Sequence, residues 1–113
     1  MKHDADRKLS SWARVREVSK QLFGNRYRLE IGAAVARAEP GVFYARQLAH
    51  TLNLAENVVQ AELRRFLAAD LLQLLDQVPG QRAVYYQRVG SPFWESCERI
   101  LNDISGDQAT GSA

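Results

Sequence analysis

The sequence predicts a mainly α-helical domain that contains a small β-hairpin. Apolar residues recur at three- and four-residue steps through most of the chain, which is the period of amphipathic helices. Residues 83–89 are instead rich in β-branched and aromatic residues and follow a Pro79-Gly80 turn signal. The length of 113 residues and the 46% hydrophobic share fit one domain with a single core.

Two helices are predicted first, at residues 9–23 and 26–38. In the first helix the apolar residues lie on one face and the charged ones on the other. Gly24 and Asn25 should end it, because both residues tolerate the left-handed conformation of a helix C-cap. A Glu-Pro-Gly sequence at 39–41 should end the second helix.

Residues 44–70 predict two short helices joined by a tight turn. Asn53 falls where the turn needs a positive φ, which Asn tolerates better than most residues. The apolar residues expected between the two helices are Leu48, Ala49, Leu52, Leu54, Val59 and Leu63. This is the helix-turn-helix arrangement, whose second helix is presented to the DNA major groove. An ordinary αα-hairpin inside a helical domain is the alternative.

A two-stranded wing is predicted at residues 71–89, directly after the second of these helices. Two strands are not stable alone, so they must pack on the helical core, and Tyr85 or Tyr86 must cover it. Val42 and Phe43 are expected to form a short extended link ahead of the helix-turn-helix.

The last helix is predicted at 91–105, with Ser91 as its N-cap and Pro92 at its first position. The polar start at 1–8 is expected to be frayed, and the small polar residues of 106–113 to be disordered. The organisation is therefore a single domain over residues 9–105.

Composition argues against several classes of protein. No apolar run approaches the length needed to span a bilayer, and the start is too polar for a signal peptide. A single cysteine, Cys97, excludes an internal disulfide framework and fits a reducing cytoplasm. His3, His50 and Cys97 are too few and too scattered to suggest a metal site. No glycine-rich phosphate loop or catalytic arrangement is visible, so we expect neither a cofactor nor an enzyme.

Charge is distributed unevenly along the chain, although its sum is only +2. Residues 1–28 contain eight Lys or Arg and three acids, a balance of +5. Residues 29–90 contain six of each, and residues 91–113 contain one Arg and four acids, a balance of −3. The positive end could lie along phosphates or be a solvated helix face.

From Arg26 to Val89 the chain resembles the winged helix-turn-helix transcriptional regulators, most closely the bacterial ArsR type, with the MarR and PadR types as near relatives. The resemblance rests on RLEIGAAVARAEP, QLAHTLNLAENVVQAELRRF and LLQLL followed by PGQRAVYYQRV. ArsR-like proteins read L-A-x-x-L-G-L-S-x-x-T-V-S-x-x-L across the turn, and this chain keeps that apolar skeleton. Asn53 replaces the family Gly, and Ala55 replaces the usual Ser or Thr N-cap.

The resemblance implies contacts with double-stranded DNA, made by Arg46, Asn57, Gln60, Ala61, Arg64, Arg65, Gln81 and Arg82. Asn57 and Gln60 would pair with adenine, and Arg64 or Arg65 with guanine or a phosphate. Glu56 would repel phosphate unless it accepts a hydrogen bond from a cytosine amino group, and Glu62 would cancel the helix's one net positive charge.

Regulators of this kind usually dimerise through their terminal helices. The residues predicted for such an interface are Trp12, Val15, Val18, Leu22, Phe93, Trp94, Cys97, Ile100, Leu101 and Ile104. Packing of the two helices within one monomer is the alternative.

We therefore expect a cytoplasmic, homodimeric DNA-binding regulator, a repressor that binds a palindromic operator, with an unknown small-molecule effector if any. The alternative function is a winged-helix module that binds a protein and has little or no affinity for DNA.

Overall fold

Five helices and a three-stranded antiparallel sheet make up the part of the chain that the structure describes. The structure is a computed structural model. It describes residues 3–77 and 79–110, with side chains described for 12–77 and 79–106. In chain order the elements are α1 (His3–Phe23), α2 (Arg28–Arg37), β1 (Val42–Phe43), α3 (Ala45–Leu52), α4 (Glu56–Ala68), β2 (Leu72–Leu74), β3 (Tyr86–Arg88) and α5 (Pro92–Thr110). The predicted fold class is confirmed. None of the described helices is long and apolar enough to cross a membrane.

Both terminal helices are longer than the sequence predicted. α1 begins at His3 and therefore includes residues 3–8, which were expected to be frayed. The sequence has aspartates at positions 4 and 6, and acidic residues near a helix N-terminus favour a helix start because of the helix dipole. α5 continues to Thr110 through a stretch that was expected to be disordered, since one internal glycine costs a helix only about 1 kcal/mol. Residues 1, 2 and 111–113 lie outside the described residues.

The corner between α1 and α2 uses its two turn residues differently. Gly24 has φ +70° and donates its N–H to Lys20 O at 2.8 Å, so it ends α1 as predicted. Asn25 is not a second C-cap. Its side-chain Oδ1 accepts the N–H groups of Tyr27 at 2.9 Å and Arg28 at 3.1 Å, and α2 therefore starts two residues later than predicted.

The helix-turn-helix has the predicted turn. Asn53 adopts the left-handed conformation, with φ 55° and ψ 46°, and Leu54 donates its N–H back to Ala49 O at 2.9 Å. Leu48, Ala49, Val59 and Leu63 are buried, while Leu52 and Leu54 are half-buried against the same core. Ala55 makes no side-chain cap hydrogen bond, so α4 starts without the usual Ser or Thr cap.

The sheet has one strand more than predicted. Val42 and Phe43, expected to be a link, form β1 and pair with β3, so that the strand order is β1-β3-β2. Burial explains the difference, because the Phe43 ring stacks on Tyr86 at a centroid distance of 5.9 Å and its backbone must be hydrogen-bonded there. β2 and β3 are also shorter than the predicted strands. Val78, in the predicted wing, lies outside the described residues.

The core has two parts that meet at α2. One side of α2 packs with α1 and α5 through Val15, Leu29, Ala33, Cys97 and Leu101. The other packs with the helix-turn-helix and sheet through Ile31, Val35, Phe43, Leu48, Ala49, Val59, Leu63, Phe66, Leu72, Tyr86 and Trp94. α5 starts as predicted, with the Ser91 hydroxyl accepting the N–H of Phe93 at 3.1 Å. It crosses α2 closely, because a Cβ added to Gly32 would lie 2.6 Å from Cys97 Sγ.

Candidate nucleic-acid interface

The exposed face of α4 is the centre of the candidate interface. Val59, Leu63 and Phe66 fix the opposite face to the core. Of the residues predicted to contact DNA, Asn57, Arg64 and Arg65 are exposed, and Gln60 and Ala61 are half-buried. The helix therefore presents amide and guanidinium groups, which are the side chains that hydrogen-bond to base edges in the major groove.

The first turn of α4 contains a polar cluster that reaches back to α3. Glu56 Oε2 accepts a hydrogen bond from Gln60 Nε2 at 3.0 Å. Glu56 Oε1 lies 3.6 Å from Arg46 Nε, an ion pair in which the Arg46 side chain remains 83% exposed. The predicted contacts Arg46 and Gln60 are thus brought together, with Glu56 between them.

Glu62 belongs to the core and not to the DNA-facing surface. Its side chain is 1% exposed and accepts hydrogen bonds from Arg28 Nε at 2.8 Å and Arg65 Nη1 at 2.7 Å. The sequence analysis expected Glu62 to cancel a positive charge of the recognition helix, and the carboxylate does pair with Arg65 of that helix. It does so from inside the core, where it also binds Arg28. Because Arg28 belongs to α2, its ion pair with Glu62 holds α4 against α2 in addition to the apolar contacts.

The wing lies beside the first turn of α4. Gln81 and Arg82 are exposed at its tip, and Gln77 Nε2 donates a hydrogen bond to Gln81 O at 3.1 Å. A cavity of about 420 Å³ separates the wing from the helices. It is lined by Tyr44, Ala45, Arg46, Glu56, Gln60, Arg82, Ala83, Val84 and Tyr86.

The two wing tyrosines are packing residues, as predicted. Tyr86 is buried on Phe43 and is the one that covers the core. Tyr85 is half-buried, with its ring edge-on to Tyr44 at a centroid distance of 5.4 Å. Each tyrosine ring therefore has an aromatic partner within the chain.

Arg88 positions the wing and was missed by sequence reasoning. Its Nη1 donates to three carbonyl oxygens at the end of α2, those of Val35, Ala36 and Ala38, at 2.7, 2.9 and 2.9 Å. The guanidinium thus adds donors at a helix end, where carbonyls lack the usual i+4 partners; Val35 O also accepts the N–H of Ala38 at 3.2 Å. The sequence contains no signal for this contact, because the residues lie about 50 positions apart.

The residues predicted for a dimer interface divide into two groups. Val15, Trp94, Cys97 and Leu101 are buried within one chain, so their contacts are made inside its own core. Trp94, for example, also donates its indole N–H to Val89 O at 2.8 Å. The residues that keep exposed surface are Trp12, Val18, Leu22, Phe93, Ile100 and Ile104. Trp12 and Leu22 are 41% and 57% exposed, so both leave apolar area on the surface of α1.

A second cavity, of about 340 Å³, lies between α1, α2, α3 and α5. Its apolar lining includes Trp12, Phe43 and Leu52, and polar groups come from Glu30 and Arg37. Glu30 is 2% exposed and accepts a hydrogen bond from Arg16 Nε at 2.8 Å, so its carboxylate already has a partner within the chain.

The single thiol, that of Cys97, is packed in the core between α1, α2 and α5. Cys97 is 1% exposed, and burial raises its pKa from 9.0 to about 11. Among the described residues no three His, Cys, Asp or Glu side chains come close enough to hold a metal ion.

No known family profile matches the sequence, and no curated protein matches it. Several solved structures, by contrast, are similar to this one. Wild-type MarR from E. coli in its apo form superposes with a TM-score of 0.68 at 13% identity, over 94% of this chain and 78% of that one. NadR in complex with 4-hydroxyphenylacetate gives 0.69 at 15% identity, over 96% and 77%. AbsC, a MarR family transcriptional regulator from Streptomyces coelicolor, gives 0.62 at 12% identity, over 93% and 70%.

Two of these neighbours, MarR and AbsC, are of the MarR type, which was predicted as a near relative of the ArsR type. Identities this low show similarity of fold. The chain therefore has the winged helix-turn-helix fold of the MarR-type transcriptional regulators.

Proposed function

We propose that this chain is a sequence-specific double-stranded DNA-binding transcriptional regulator, a cytoplasmic repressor that binds a palindromic operator as a homodimer. The observation that supports this most directly is the exposed face of α4. A correctly formed helix-turn-helix presents Asn57, Gln60 and Arg64 on it, and Glu62, the acid that would have opposed DNA, is turned into the core. Arg46 and Arg82 line the cavity beside that face and would contact phosphates.

The homodimer is proposed from the surface of the terminal helices. Trp12 and Leu22 expose apolar area that one chain does not cover. Two-fold symmetry through these helices would place two copies of α4 about one DNA turn apart, which matches a palindromic operator. The likeness to the ArsR type stays a prediction from the residues of the turn.

Binding is tested by fluorescence anisotropy with the duplex upstream of the protein's own gene and a scrambled duplex, across a salt series. We expect tighter binding to the first duplex, with an affinity that falls steeply with salt because phosphate contacts release counterions. The variant Gln60→Ala plus Arg64→Ala should lose the selectivity. Gln21→Ala plus Arg99→Ala, which removes the same side chains from exposed positions on the terminal helices, should keep it.

A protein-binding module is the second candidate function. The observation that favours it is apolar surface on the wing, where a DNA-binding protein would be expected to carry basic residues. The exposed side chains are Leu74, Leu75 and Val84, at 55%, 37% and 46%. Equal, weak binding to both duplexes, or no binding at low salt, would reject the repressor and favour this alternative.

A further inference from the structure

Glu56 is the one acidic residue among those that line the cavity between α4 and the wing. It begins α4, and its side chain is 44% exposed. Around the same cavity lie Arg46, Gln60 and Arg82, all of which the proposed function places on DNA. A carboxylate in the middle of such a surface needs a chemical reason.

Repulsion makes Glu56 a poor neighbour for a phosphate. Two like charges about 4 Å apart cost on the order of 1 kcal/mol even in bulk water, and more at a surface from which water is excluded. An ionised carboxylate has acceptors only, so its favourable partner must be a hydrogen-bond donor. The major groove offers such donors as the amino groups of cytosine and adenine.

Of these two bases, cytosine fits a carboxylate better. Adenine presents an acceptor, N7, beside its amino group and pairs best with an amide that both donates and accepts. Cytosine presents its N4 amino group alone. Glu56 has an oxygen for it, since Oε2 accepts from Gln60 at 3.0 Å whereas Oε1 lies 3.6 Å from Arg46 Nε, too far for a hydrogen bond.

We propose that Glu56 determines sequence specificity by accepting a hydrogen bond from a cytosine amino group, an inference that rests on the proposed DNA binding of α4. Gln60 and Arg46 are positioning residues for the carboxylate in the free protein. On DNA, Arg46 turns to a phosphate and Oε1 turns to the base. Glu56 therefore selects one base and rejects close approach of the backbone at the same point.

The test is selection from a library of random duplexes by the wild-type protein, Glu56→Ala and Glu56→Gln. Glu95→Ala is the matched control, because Glu95 is also an exposed acid in the first turn of a helix, α5. Circular dichroism melting shows that each variant folds. Single base changes are then made in the selected sequence and measured by anisotropy against each protein.

We expect the wild type and Glu95→Ala to select a sequence with cytosine at one position of each half-site. Replacing that cytosine by thymine should weaken their binding about fivefold or more. Glu56→Ala should bind the two duplexes within about twofold of each other, and Glu56→Gln should shift the preference towards adenine, since an amide pairs with it.

Two results would overturn the inference, and they are distinguishable from failure of the proposed function. If Glu56→Ala selects the same cytosine as the wild type, the repressor stands and Glu56 is not a reader. If it binds every duplex more tightly with an unchanged preference, Glu56 only repels phosphates. A wild-type protein that enriches no sequence would remove the proposed function itself, and this inference with it.

Discussion

Two carboxylates, Glu30 and Glu62, lie at 2% and 1% exposure in a domain of only 113 residues. Each is met by an arginine whose own side chain reaches the surface, Arg16 at 2.8 Å and Arg28 at 2.8 Å. The hydrogen bond to Glu30 raises the pKa of the Arg16 guanidinium despite its partial burial. Because a buried charge is costly without its partner, these pairs constrain how α1, α2 and α4 fit together.

The pair between Arg28 and Glu62 should contribute measurably to stability. Replacing Arg28 with Met leaves Glu62 with Arg65 alone and should cost about 2–3 kcal/mol. Arg37→Met is the control, because Arg37 and Glu98 form an exposed pair, at 46% and 38%, that should be worth less than about 1 kcal/mol. Urea unfolding of the two variants measures both values. Equal losses would mean that burial of Glu62 does not set the cost.

Cys97 gives the protein a defined sensitivity to alkaline pH. Its pKa in the fold, about 11, is above the ordinary 9.0, so the fold favours the protonated thiol. Its stabilising contribution is full below about pH 9 and is lost as pH rises towards 11, because the unfolded chain releases the proton first. By pH 10.5 we expect a loss on the order of 2 kcal/mol. The free energy of unfolding of wild type and Cys97→Ala, measured at pH 8 and 10.5, tests this. The variant has no thiol, so its stability should fall less between the two pH values.

At the scale of the element, the middle of α4 is packed in the core, whereas its first turn lacks a side-chain cap. Ala55 stands at the N-cap with an extended backbone, φ −65° and ψ 139°, but has no oxygen to offer. Ala55→Ser should therefore stabilise the protein by about 0.5–2 kcal/mol, because the serine hydroxyl oxygen would accept a hydrogen bond from a first-turn N–H group. Ala69→Ser, at the other end of the same helix, is the control and should give no gain. A melting temperature unchanged by Ala55→Ser would show that the start of α4 is already satisfied.

Elements governed by local rules were predictable from the sequence. The turn at Asn53, the end of α1 at Gly24 and the cap at Ser91 each depend on the chemistry of a few neighbouring residues. β1 was not predictable in this way, because Val42 and Phe43 become a strand only when Tyr86 arrives from more than 40 residues away. The same reason explains why the inward turn of Glu62 was missed, since its partner Arg28 lies on another helix.

At the scale of the whole molecule, the terminal helices leave apolar area exposed at Trp12 and Leu22. The candidate site was predictable as a set of exposed and half-buried positions on α3, α4 and the wing, because helical periodicity decides which helix residues face outward. The proposed dimer surface was less predictable from the sequence. Periodicity identified two apolar helices but not which of their residues pack on each other. Val15, Trp94, Cys97 and Leu101 turned out to be buried there.

The proposed homodimer has a direct test in solution. Multi-angle light scattering at micromolar concentration should give twice the chain mass of 12.7 kDa. Trp12→Ser plus Leu22→Ser should shift the protein towards the monomer by removing exposed apolar area from α1. Val84→Ser removes an exposed apolar side chain from the wing and should leave the mass unchanged. A wild-type mass near 12.7 kDa would contradict the dimer.

The contact of Arg88 with the end of α2 has a mechanical consequence. One guanidinium group links the base of the wing to three carbonyl oxygens at the C-terminal end of α2. A rotation of α2 would therefore be transmitted to the hairpin at Arg88. The displacement would be larger at Gln81 and Arg82 than at Arg88, because they lie at the other end of the hairpin.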